Sequence, residues 1–182
     1  MRIVAGRFRG RPIAAPVSSA IRPTSDRTRE SVFNILAARA NIQEMRVIDL
    51  FAGTGALGLE AVSRGAVFAL FVEQSAEARG LLRTNIEAFG LQGVTRIFRR
   101  DAADLGAPGT MESFDIAFAD PPYARGLGQL AAASLVAGGW LKNGSLLVLE
   151  ESAETAPDRL PGFDLLDQRS FGQTSVGFFV RV

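Results

Sequence analysis

Two textures alternate along the chain. Short, nearly continuous apolar runs are separated by longer stretches in which apolar residues recur at helical spacing. Arg46–Phe51 is the first such run. It leads into a Gly-rich turn at 52–55 and a helix containing Leu57, Leu59, Ala61 and Val62 that ends at Gly65. Val67–Glu73 reads as a second strand, Ala76–Phe89 as an amphipathic helix closed by Gly90, and Val94–Arg99 as a third strand. Phe114–Ala119 follows as a fourth, Leu127–Ala137 as a helix ending at Gly138-Gly139, and Ser145–Leu149 as a fifth strand. Strands this apolar, alternating with helices of this length, predict βαβ crossovers and a parallel sheet covered on both faces.

Both ends depart from that rhythm. Phe163–Phe171 and Ser175–Arg181 are separated only by Gly172-Gln173-Thr174. No crossover fits in three residues, so this pair is expected to be an antiparallel hairpin. At the other end, residues 2–5 and 11–14 flank Gly6-Arg7-Phe8-Arg9-Gly10, which reads as a β-hairpin with a basic tip. Residues 15–24 read as a Pro/Ser/Ala-rich linker. Thr24 or Ser25 then offers an N-cap for a helix through Ala40, with Val32, Phe33, Leu36 and Ala37 on its apolar face. The expected architecture is one α/β domain over residues 1–182. Residues 1–24 supply the hairpin and linker, and 25–182 a seven-stranded, mostly parallel Rossmann-like sheet ending in an antiparallel pair.

Composition narrows the chemistry by what is missing. The 182 residues include no Cys and no His. Disulfides, thiolate metal sites, a Cys nucleophile and a His base are therefore excluded, and no metal is expected. Carboxylates, backbone groups, hydroxyls, Arg or a cofactor must do the work. The basic N-terminus lacks the apolar core of a signal peptide, and no run approaches the roughly 18 apolar residues of a membrane span. A cytoplasmic protein with no membrane partner is expected. Net charge is only +1, but residues 1–30 carry seven Arg against Asp26 and Glu30. That end is built to meet a polyanion.

The first chemical motif is Asp49-Leu50-Phe51-Ala52-Gly53-Thr54-Gly55-Ala56-Leu57-Gly58. Gly53, Gly55 and Gly58 form G-x-G-x-x-G between a strand and a helix, where a ligand can approach the backbone and the helix N-terminus. A turn that merely needs φ > 0 is the bland alternative. Glu73 ends the next strand, twenty residues after Gly53, where a carboxylate can accept from ribose hydroxyls. A nucleoside-bearing cofactor is favoured. Asp49 would repel a pyrophosphate but can pair with an ammonium, which tilts the choice from a dinucleotide to S-adenosylmethionine. Its alternative role is capping a turn. Asp101, after the third strand, could bond an adenine amino group or cap a short helix.

Asp120-Pro121-Pro122-Tyr123 directly follows the fourth strand. Two prolines remove two N–H donors and stiffen an extended turn. The Asp120 carboxylate and Pro121 carbonyl could accept both N–H bonds of an exocyclic base amine, leaving its nitrogen oriented for methylation. Tyr123, the only Tyr, could stack on the base. A rigid loop with an aromatic plug is the alternative. A target base that begins stacked would have to be flipped out. Arg7, Arg9 and Arg11 with Phe8, together with Arg22, Arg27 and Arg29, form a basic constellation. It is either a solvated face or, beside an amine-methylating site, a nucleic-acid contact.

These residues resemble those of the small-subunit (16S) ribosomal RNA guanine-N2 methyltransferases, the ribosomal small subunit methyltransferase D family. The resemblance runs through Arg2-Ile3-Val4-Ala5-Gly6 with Arg9-Gly10-Arg11 and Arg22-Pro23-Thr24-Ser25-Asp26-Arg27-Thr28-Arg29-Glu30 with Phe33-Asn34. It continues through Asp49 to Gly55, Phe114-Asp115-Ile116 and Asp120 to Tyr123. It implies a Rossmann-like methyltransferase fold, S-adenosylmethionine as cofactor, and methyl transfer to N2 of a guanine in small-subunit ribosomal RNA or an assembling small subunit. By position it implies a cofactor site of Asp49, Ala52, Gly53, Thr54, Gly55, Glu73, Gln74, Asp101 and Ala102. Asp120, Pro121, Pro122 and Tyr123 would hold the base, and Arg7, Arg9, Arg11 and Arg22 the RNA. An adenine-N6 or cytosine-N4 methyltransferase, or a non-catalytic RNA-binding module, is the alternative.

Overall fold

The computed structural model of the chain describes residues 1–15, 26–122 and 125–182. In chain order the elements are α1 (Asp26–Ala37), β1 (Arg46–Leu50), α2 (Ala56–Ser63), β2 (Phe68–Val72) and α3 (Ala76–Phe89). A 3₁₀ turn at Gln92–Val94 precedes β3 (Thr95–Phe98). Then come β4 (Phe114–Ala119), α4 (Leu127–Gly138), β5 (Leu141–Ser152), β6 (Phe163–Phe171) and β7 (Thr174–Arg181). The seven strands form one sheet in the order β3-β2-β1-β4-β5-β7-β6. The first five are mutually parallel, and β7 runs antiparallel between β5 and β6. The fold is a Rossmann-like doubly wound sheet, with the topological switch between β1 and β4, where the carboxyl ends of adjacent strands open a crevice.

Strand composition explains the layering. β1 and β2 are buried over four of their five positions, so side chains from both faces need cover. One face packs beneath α1, α2, α3 and the N-terminal segment, with Val47, Phe71, Phe118, Val148 and Phe178 at its centre. The other packs beneath α4, with Leu50, Leu70, Ala117, Leu147 and Trp140. Trp140 is fully buried, and its indole N–H donates to Gly106 O at 2.7 Å, satisfying the one polar atom it brings inside.

Several boundaries differ from the sequence reading for local reasons. Phe51 leaves β1 with φ of 59°, because the chain turns there into the glycine loop. β5 begins at Leu141, four residues early, and reaches Ser152, since β7 continues to pair with it beyond the end of β4. α1 ends at Ala37, which is exposed; Val32, Phe33 and Leu36 carry its buried face. The expected caps Thr24 and Ser25, and most of the expected linker, lie outside the described residues. No helix among the described residues is long and apolar enough to cross a membrane.

The N-terminal hairpin is present but is hardly a sheet. Its strands share a single bridge, Arg2 to Pro12, with cross-hairpin bonds from Ile3 N to Arg11 O, Gly10 N to Ile3 O and Ile13 N to Met1 O, while other backbone groups bond outward. The Val4 and Ala5 amides donate to the buried Glu60 carboxylate at 2.8 and 3.0 Å. At the tip, the Arg7 amide donates to Ser63 O at 2.9 Å and the Phe8 amide to Ser63 Oγ at 3.0 Å. Those bonds occupy α2's carboxyl end, where helical carbonyls lack partners. Gly6 is required there, because a Cβ would stand 1.9 Å from Ser63 O. Arg29 corrects the basic constellation. It is fully buried, 2.9 Å from Asp26 and 3.6 Å from Glu60, and donates to Arg2 O, so it holds the hairpin to α1 and α2 rather than facing a polyanion.

Candidate active site

The switch point gathers the carboxyl ends of β1, β2 and β4. Asp49, on β1, is 2% exposed, and its Oδ2 accepts from the Gly58 amide of α2 at 2.9 Å. Gly58 allows this close approach, since a Cβ there would meet the Phe71 ring at 2.3 Å and Asp49 Oδ2 at 3.2 Å. Gly55 starts α2 at φ of 83°, and its amide closes the turn on Ala52 O at 2.7 Å. Glu73, one residue past β2, spans the crevice. Its Oε2 accepts from Gly53 N at 2.9 Å and its Oε1 from Ser75 N at 2.7 Å. The carboxylate thus positions the glycine loop and keeps lone pairs for a ligand hydroxyl.

Electrostatics give the crevice its character. Burial pushes the Asp49 carboxyl well above the ordinary carboxylate range. The Gly58 amide opposes the shift, while the charges of Asp120 and Glu73 add to it. Three carboxylates from three strand ends therefore share one field, with no basic side chain among the described residues paired to Asp49. A positively charged ligand would relieve that strain. Among the described residues no group of three metal-ligating side chains is placed to hold an ion.

The other expected site residues fall around this centre. Ala52 and Thr54 are buried in the glycine loop, and Gln74 is exposed beside Glu73. Asp101 lies past β3 and is exposed. Its Oδ1 accepts from Ala103 N at 2.9 Å, so it caps a turn; no helix follows, which corrects the short-helix alternative. Ala102 is buried behind it. Asp120 is half-buried after β4, Pro121 buried and Pro122 exposed. Tyr123 and Arg22 lie outside the described residues. Arg7, Arg9 and Arg11 are not beside the crevice, because the hairpin tip caps the far end of α2. Arg11 lies over Phe89 at 4.5 Å and donates to Ala88 O at the end of α3.

Asn85 was missed by the sequence reading. It is buried on α3, where its Nδ2 donates to Thr54 O at 2.9 Å and to Ala14 O at 3.1 Å, and its Oδ1 accepts from Ala14 N at 2.8 Å. One amide ties the glycine loop to the N-terminal segment. Its signal was an Asn set within the stripe of Ala78, Leu82, Ile86 and Phe89.

The model of the family described as Conserved hypothetical protein 95 matches residues 1–180. The chain is 35% identical over 183 residues to the ribosomal RNA small subunit methyltransferase D of Escherichia coli (strain K12), spanning 100% of this chain and 90% of that protein. The chain belongs to the ribosomal small subunit methyltransferase D family. A second relative carrying that name, from Haemophilus influenzae, is 31% identical over 177 residues, covering 96% of this chain and 91% of that one. The solved structure of Escherichia coli yhhF superposes with a TM-score of 0.85 at 32% identity, covering 100% of this chain and 97% of that one. Family membership thus rests on the entire sheet, hairpin included.

Proposed function

We propose that the chain is an S-adenosylmethionine-dependent ribosomal RNA methyltransferase that modifies the exocyclic N2 amine of a guanine in small-subunit RNA. The observation that carries this reading is the convergence of Asp49, Glu73 and Asp120 at the switch point, with Asp49 strained toward its neutral form. That field suits a cofactor bearing an ammonium and a sulfonium and opposes a pyrophosphate. Asp49 would hold the ammonium, Glu73 the ribose hydroxyls, and Asp101 the adenine amine. Ala52 to Gly55 let the backbone approach, with Gln74 and Ala102 at the border. S-adenosylmethionine supplies an electrophilic methyl group on its sulfonium.

The chain's own contribution is orientation and exclusion of water. The Asp120 carboxylate and Pro121 carbonyl accept the two N–H bonds of the base amine, so its lone pair is turned from the ring toward the methyl group. Asp120 also holds the proton that the amine gives up. Pro121 and Pro122 bring no competing amide donor to this turn. Neither a thiolate nor an imidazole is needed, consistent with a chain that has neither.

The test is mass mapping of methylated bases after incubation with undermethylated small ribosomal subunits. N2-methylguanine is the expected product. N6-methyladenine or N4-methylcytosine would replace the guanine reading by the other amine chemistries, and no transfer would leave a binding module. Asp120→Ala is expected to lose about 10²-fold or more in turnover, with S-adenosylmethionine affinity held within a few-fold.

A further inference from the structure

The sheet has one basic edge that the site does not use. β3 is an edge strand, and three exposed arginines surround it: Arg83 on α3, Arg96 within the strand and Arg99 just past its end. Some arginines elsewhere meet carboxylates, as Arg39 does Asp167 at 2.7 Å and Arg64 does Glu60 at 2.8 Å. Arg83, Arg96 and Arg99 belong to no ion pair among the described residues. Arg96 lies only over the Phe98 ring, at 6.0 Å.

Their placement is directional. The hairpin packs on the flank of α3 that faces α2, through Asn85, Ala88 and Phe89. Helical periodicity puts Arg79 and Arg83 on the opposite flank, above the free edge. At the amino end of β3, a hollow of about 350 Å³ opens between Arg7 of the hairpin tip and Val94, floored by Val62 and Val67. Val67 is 45% exposed. At the carboxyl end, Glu73 N donates to Phe98 O at 3.1 Å, so Arg99 stands beside the mouth of the crevice. Arg7 and the hollow lie at the amino end, Arg99 at the carboxyl end and Arg83 above the α3 face, while Arg96, on the face of Phe98 and α4, stands on the other side of the edge.

We propose that this edge is an RNA-docking track: phosphates lie on Arg7, Arg83, Arg96 and Arg99, and an unstacked base covers the hollow. Unpaired guanidinium groups supply charge-assisted bonds to phosphate, and an apolar floor favours a base face over more phosphate. The track gives the hairpin tip, at the end of the sheet away from the crevice, a path to the reaction centre. It rests on the ribosomal RNA reading above and assigns that substrate its course over the surface.

The experiment compares the full-length protein with Arg83→Glu/Arg96→Glu/Arg99→Glu, and with Arg159→Glu as a charge control from beyond β5. Binding to undermethylated small-subunit RNA is measured across a salt series. The triple variant is expected to lose at least about tenfold in affinity and about 2 from the salt slope, as three lost phosphate contacts require. Its S-adenosylmethionine affinity is expected to match wild type, and Arg159→Glu to change neither. The triple Gln variant, which adds no charge, is expected to lose the same slope and covers poor folding of the Glu form. A slope kept by both triples while wild type binds and methylates overturns the track alone. Wild-type binding with no salt slope overturns the RNA reading and the track together.

Discussion

Asp49 offers the sharpest test of the cofactor site, because its protonation and the ligand's charge must be linked. Without ligand, burial and the neighbouring charges of Asp120 and Glu73 hold its carboxyl above the ordinary range. A ligand ammonium stabilises the ionised form and draws the pKa back down. Binding therefore releases up to one proton at any pH between the bound and free values. In that window affinity rises with pH by up to tenfold per unit, about 1.4 kcal/mol. Above the free value the dependence flattens, and below the bound value affinity is weak and again flat. The ligand's own α-ammonium titrates near pH 7.8, so the informative range ends at about pH 7.

Isothermal titration in two buffers of different ionisation enthalpy counts the protons directly. Wild type is expected to release up to one proton on binding in a window that lies above the ordinary carboxylate range and below about pH 7. Asp49→Asn keeps the size and one acceptor but removes both the charge and the titration. It is expected to show no proton release and to bind S-adenosylmethionine about 10- to 150-fold more weakly at pH 7, the range for a hydrogen bond to a charged group of about 1.5–3 kcal/mol. Equal proton release in the two proteins would place the linked group elsewhere and refute Asp49 as the ammonium partner.

Other perturbations probe the frame. Glu60→Ala strips acceptors from Val4 N, Ala5 N and Arg64, and a counter-charge from buried Arg29. It is expected to cost about 3–5 kcal/mol in urea unfolding, and a loss below about 1 kcal/mol would refute its anchoring role. Gly58→Ala forces a methyl against Phe71 and Asp49. It should cost about 1–3 kcal/mol and weaken cofactor binding, and an unchanged melting temperature would contradict the packing. Glu151 is buried at the end of β5, and burial raises its carboxyl, opposed by the amides of Ser152 and Gly128. The folded state then binds more protons than the unfolded, so stability falls as pH rises from the ordinary carboxylate range through the raised value. Glu151→Gln should flatten that part of the pH–stability curve, and an identical curve would show that Glu151 does not titrate there.

What the sequence exposed follows from where its constraints are local. Apolar runs bounded by glycine define the strands of a doubly covered sheet, and a three-residue connection permits only an antiparallel pair. Asp49, Glu73 and Asp120 were legible because each sits at a strand's carboxyl end, where topology alone makes neighbours of residues far apart in the chain. Arg29 was misread because charge and chain position do not report burial. Its partner Glu60 lies 31 residues away on another helix, and only packing joins them. Asn85 was passed over for the converse reason: its three bonds go to Ala14 and Thr54, at separations no local pattern encodes.

The distribution of charge also constrains how the substrate arrives. A crevice lined by three carboxylates attracts a cationic cofactor but repels phosphate, so an RNA backbone cannot follow its base into the centre. On the proposed reading the backbone would be held outside while a single base reaches inward, and a base that begins stacked would have to leave its stack. Arginines without carboxylate partners stand on the β3 edge, whereas Arg39 and Arg169 near the β6 edge are tied to Asp167. Near-neutral net charge is then no obstacle to binding a polyanion. The relevant quantity is the separation of the two fields across the sheet, and reversing the edge arginines should change RNA affinity while leaving cofactor affinity where it was.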